Sequence, residues 1–119
     1  MFSKTVAMPF WDDLGFNTAD SSLGYDQGIF VKTKGSAPHR TFAINWQGAR
    51  LGTSTKVLAR VVFTEGSQTV TYTYGAAGGD SATIGSQFAG QATTTQWACN
   101  TGSTTTVVNG QKLSFLHVN

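Results

Sequence analysis

Along most of this chain apolar residues recur at every second position, and that period is met by strands with one buried face. In "TFAINWQ" Phe42, Ile44 and Trp46 fall on one side while Ala43, Asn45 and Gln47 fall on the other. "KVLARVVF" places Val57, Ala59, Val61 and Phe63 together. Leu58 and Val62 opposite them predict a central strand covered on both sides for part of its length. "QTVTYTYG" alternates Val70, Tyr72 and Tyr74 against Thr69, Thr71 and Thr73, whose β-branched side chains suit a solvated sheet face. No window long enough for a helix carries a 3.6-residue period.

Further strands follow from weaker patterns. "GIFVKTKG" reads as a strand with Lys32 and Lys34 on its wet side, and "KLSFLHV" alternates Leu113, Phe115 and His117 against Ser114 and Leu116. "SATIGSQF", "TTTQWAC" and "STTTVV" are poorer candidates. Turn residues separate the runs: Glu65-Gly66-Ser67, Gly75 to Asp80, Asn100-Thr101-Gly102 and Asn109-Gly110. The "EGSQ" and "NG" turns read as hairpin links. Short strands between Gly-rich turns predict an all-β fold, an antiparallel sandwich of jelly-roll-like or Ig-like kind with no substantial helix. The stretch Asp12 to Gln27, about sixteen residues, is long for a loop in a compact domain and holds four of the six acidic residues.

Composition narrows the class. A chain of 119 residues is one domain with one core, and its charged share of 12% is about half the usual one. Thr, Ser and fourteen glycines fill the difference, as in many secreted or surface-exposed β-proteins. The net charge of +2 is carried by scattered Lys and Arg, so nothing in the linear sequence forms a nucleic-acid footprint. No apolar stretch is long enough to span a membrane. The run Val6 to Trp11 is too short for a secretory signal and ends in acid, which predicts a piece of a longer secreted protein or release by another route. Cys99 is the only cysteine, so no internal disulfide is available, and the first expectation for it is a small buried hydrophobe.

Several segments in order, "PFWDDL", "GIFVKTKGSAPHRTFAINWQGAR", "KVLARVVFTEGSQTVTYTYG", "SATIGSQF" and "WACN", resemble the nidogen-like extracellular β-domain of large secreted and surface proteins of bacteria. The resemblance covers roughly residues 7–100. It implies an extracellular or cell-surface domain serving adhesion, matrix or surface architecture, with no catalysis. It also implies strands ahead of "PFWDDL". The expectation is therefore a single domain over 1–119 that lacks N-terminal strands of the full family domain or leaves a sheet edge open there. An open edge is a template for strand addition from another chain.

Candidate sites are few. Asp12 and Asp13 are adjacent, and neighbours in a strand point to opposite faces, so they make a poor acid/base pair. Two readings stand: aspartates that cap a corner, or ligands to a hard cation such as calcium, although the loop lacks EF-hand spacing. Trp46 alternates in phase with Phe42 and Ile44 and is expected in the core. Trp11 and Trp97 lie at element ends, where packing is the first expectation and a sugar-stacking surface the second. His39-Arg40 reads as a solvated turn whose arginine pairs with an acid. His39, His117 and Cys99 give no zinc spacing, "GAAGGD" lacks the ending of a phosphate loop, and no nucleophile elbow occurs. The sequence thus predicts a non-enzymatic structural or adhesive module with no cofactor, calcium apart. It would work by surface recognition or by assembly through sheet edges. The alternatives are a carbohydrate-binding module using Trp11 or Trp97, and a self-assembling filament or shell subunit completed by strand exchange. Partners are then protein or glycan surfaces or further copies of the chain, with no nucleic acid and no membrane span.

Overall fold

The alternating segments do form strands, and every pairing between them is antiparallel. The computed structural model describes residues 5–17, 22–76, 81–87, 89, 95–102 and 107–116. The strands are β1 (Val6–Trp11), β2 (Leu14–Gly15), β3 (Gly28–Lys34), β4 (Thr41–Arg50), β5 (Lys56–Thr64), β6 (Thr69–Ala76), β7 (Thr83–Gln87), β8 (Thr95–Cys99) and β9 (Lys112–Leu116). No helix occurs among the described residues, and none is long and apolar enough to cross a membrane. His117, Asp20, Asp80, Phe88 and most of "STTTVV" lie outside the described residues.

Two sheets share the strands. The larger runs β4-β5-β6-β9, with β3 and β2 both pairing the outer side of β4; the smaller runs β1-β7-β8. Val57, Ala59, Val61, Val70, Tyr72, Tyr74, Leu113 and Phe115 of the larger sheet meet Phe10, Ile84 and Ala98 of the smaller in one core. Two tyrosines pin the layers together. The Tyr72 hydroxyl donates to the Gly85 carbonyl at 2.7 Å and accepts the Met8 N–H at 3.1 Å, and the Tyr74 hydroxyl donates to the Pro9 carbonyl at 2.5 Å. These bonds fall where the β1–β7 register shifts between Met8 and Trp11, so side chains from the opposite sheet satisfy buried backbone groups there.

The structure adds to the sequence expectations at three points. The run Val6 to Trp11 is strand β1, a pattern masked by Pro9, which an edge strand tolerates at an irregularity. Asn109-Gly110 makes a turn, with Gly110 at a φ of 83° and the Gln111 N–H on the Val108 carbonyl. It links no hairpin, because β8 and β9 belong to different sheets. Finally β5 is central, and Leu58 and Val62 on its outer face are half-buried with no further strand layer over them among the described residues.

Candidate functional site

Cross-strand rows show how far the core extends. Along one row Leu113, Tyr72 and Val61 are buried, Ile44 is half-buried, and Val31 on β3 is 65% exposed. Along the next, Phe115 and Val70 are buried while Phe63 and Phe42 are 38% and 40% exposed. Ile29, opposite half-buried Trp46, is also exposed. All these residues lie on the inner face of the larger sheet. Three strands do not cover the full width of the other sheet, so among the described residues Ile29, Val31 and Phe42 on the β3 side of the inner face are left bare, while Ile44 and Trp46 of β4 still pack against the core. Phe42 and Phe63 stack there with centroids 6.4 Å apart, and at the rim Arg40 binds Glu65 with Nη2–Oε1 at 2.6 Å. That ion pair fulfils the reading of His39-Arg40 as a solvated turn, and it holds the Glu65 carboxyl below its ordinary range.

The bare side borders a strand edge. β1 ends the smaller sheet, with β7 on one side and no strand paired on the other among the described residues. A groove of about 300 Å³ runs between Val6–Trp11 and Trp46. The next strand position in the smaller sheet would lie in that groove, beside Trp46 of β4. Sequence periodicity identified the inward residues of β3 and β4 correctly, but it could not reveal that half of them lack a covering layer.

The tryptophans divide between core and surface. Trp46 packs against the core, as its phase predicts. Trp11 and Trp97 do not follow the packing expectation: they are 57% and 53% exposed. Phe10 and Ala98 beside them point inward, so both indoles stand on the outer face of the smaller sheet. Trp11, Thr83 and Cys99 form one cross-strand row, and Trp97 lies two residues from Cys99. Cys99 is also exposed, against the expectation of burial, because it shares the outward phase of Trp97; its Sγ lies 3.5 Å from Thr83 Oγ1.

Asp12 and Asp13 occupy the corner after β1. Asp12 Oδ1 accepts the Asp13 N–H at 2.9 Å, Oδ2 accepts the Ser81 hydroxyl at 2.6 Å, and Arg50 Nε lies 3.5 Å from Oδ2. Leu51 N–H donates to the Asp13 carbonyl at 2.9 Å. The Asp12 carboxylate thus ties β1 to the end of β4 and to the start of β7, while Asp13 faces solvent. Among the described residues no three His, Cys, Asp or Glu side chains gather as a metal group would require. The long acidic loop is partly ordered by its own contacts: Leu23 and Gln27 are buried, and the Tyr25 hydroxyl donates to the Gly48 carbonyl at 2.7 Å. A cleft of about 550 Å³ between this loop and residues 49–54 has Arg50 as its one ionisable lining residue among the described residues.

Comparison with known proteins gives one match: the family model described as NIDO related aligns with residues 2–116. No curated protein and no solved structure matches the chain.

Proposed function

The chain belongs to the nidogen-related family, and from that premise we propose that it is a non-enzymatic extracellular module, structural or adhesive in role, that assembles by strand addition at β1. The observation that carries this reading is the bare β3 side of the larger sheet's inner face beside the β1 edge. An extended segment in the groove would continue the β1 ladder and cover Ile29, Val31 and Phe42. The occupant proposed is a second copy, since each copy offers both the groove and an apolar strand, β3, exposed on both faces.

Magnitudes decide what kind of assembly this is. Covering three half-exposed apolar side chains contributes about 1–2 kcal/mol each. Association itself costs about 4–15 kcal/mol. The bare face alone therefore falls short, and added backbone hydrogen bonds at about 1 kcal/mol each have to make the difference. Such contacts are weak singly and accumulate in a repeating array. The test is light scattering of the wild type against Ile29→Lys/Val31→Lys, both exposed positions where polar residues are tolerated by the monomer. The wild type should exceed 12.6 kDa with rising concentration while the variant stays at that mass. Equal masses for the two at every concentration would sink the reading.

The shared face of Trp11 and Trp97 favours a second reading, a glycan-stacking surface. Soluble neutral glycans should then quench or shift tryptophan emission in the wild type and lose that effect in Trp11→Ala/Trp97→Ala.

A further inference from the structure

Cations scattered along the sequence are gathered by the fold onto one plane. Lys32 and Lys34 of β3, Lys56 and Arg60 of β5 and Lys112 of β9 alternate with inward residues and are all exposed. They stand on the outer face of the larger sheet. Register sets Arg60 and Lys112 in one row on either side of Thr73, about 10 Å apart by strand spacing. The adjacent row carries Lys32, Thr71 and Ser114, and the one beyond it Lys34, Thr41 and Thr64. None of the strands β3, β4, β5, β6 and β9 contains Asp or Glu. Among the described residues the salt bridges are made by Arg40 and Arg50, so these five cations are not neutralised by an acid.

We propose that this outer face binds a linear anionic polysaccharide, sulfated or carboxylated. The chemistry matches in two respects. The cations are sparse, with Arg60 and Lys112 about 10 Å apart across the Thr73 hydroxyl and Lys32 in the adjacent row with the Thr71 and Ser114 hydroxyls, which are ready to bond sugar hydroxyls and anionic oxygens. Duplex DNA instead carries a charge every ~1.7 Å and is read in its grooves by a protruding helix or ribbon, which a flat sheet centre does not offer. This face is opposite to the groove used in the proposed assembly; Lys32 and Lys34 lie on the strand offered to that groove, so Arg60 and Lys112 on β5 and β9 are the pair that separates the two readings.

The experiment measures retention of the full chain on immobilised heparin near physiological ionic strength. The wild type should be retained, and Arg60→Gln/Lys112→Gln should bind about tenfold more weakly. Lys32→Gln/Lys34→Gln provides a second pair on the same face with the same expectation. Arg40→Gln removes a charge from the rim of the inner face and should change binding less than about twofold. Each variant is checked for an unchanged urea midpoint, and a pair that fails this check is replaced by the other. No retention of the wild type, equal losses from Arg40→Gln and the outer-face pairs, or equal retention on a duplex DNA column would each overturn the proposal.

Discussion

Replacing Tyr72 with Phe removes one oxygen atom and with it two hydrogen bonds to backbone groups. The Tyr72 side chain is fully buried, and its hydroxyl serves the Gly85 carbonyl and the Met8 N–H across the β1–β7 irregularity. Each lost hydrogen bond to a buried backbone group costs about 1–3 kcal/mol, so Tyr72→Phe should destabilise by about 2–6 kcal/mol. Tyr74→Phe orphans the Pro9 carbonyl alone and should cost about half as much. The same geometry sets an alkaline signature. Burial raises both phenols above their usual value of 10.0, so the folded protein keeps these protons where the unfolded chain releases them. Stability from this source is intact below pH 10 and is lost as pH rises further. The loss above pH 10 is at most about 1.4 kcal/mol per pH unit for each such tyrosine. Urea unfolding between pH 7 and 11 should therefore show a decline above pH 10 that is shallower in either Phe variant. A Tyr72→Phe protein with an unchanged urea midpoint and the wild-type alkaline slope would refute the claim that these hydroxyls join the two layers.

Other sites give equally direct outcomes. A Cβ at Gly85 would lie 2.6 Å from the Thr95 carbonyl oxygen, so Gly85→Ala should force β7 from β8 and cost about 1–3 kcal/mol in urea unfolding. Asp12→Ala removes the acceptor for Asp13 N–H and Ser81 and should lower stability by about 1–2 kcal/mol, with unfolding midpoints as the readout. Because Asp12 is already engaged, millimolar calcium should leave the melting temperature of the wild type unchanged; a clear rise would favour the cation reading of Asp12 and Asp13. Cys99 is exposed, so a thiol reagent should label it in the folded state at a rate close to that of a free thiol, measured by absorbance.

How much of this was legible in the chain depends on the range of each interaction. Period two is local, so the faces of β4, β5, β6 and β9 follow from sequence, down to the inward tyrosines. Coverage is not local. Ile29 and Val31 carry the same inward phase as Ile44, yet only the number of strands in the opposite sheet decides that they are bare. Trp97 and Cys99 are outward because Ala98 is inward, but a five-residue strand gives too short a pattern to fix that phase. The cations of the outer face are separated by turns and strands, and only register brings them together. Asp12 illustrates the opposite case: its corner role follows from residue type and position, while its partners Ser81 and Arg50 are remote in sequence.

The central claim is that copies of the chain complete each other beside β1. Amide hydrogen exchange at low and high protein concentration tests it most directly. Assembly predicts that protection within Val6–Trp11 and Gly28–Lys34 rises with concentration, while β5 and β6 are protected throughout. Identical exchange in β1 and β3 at all concentrations would contradict the account.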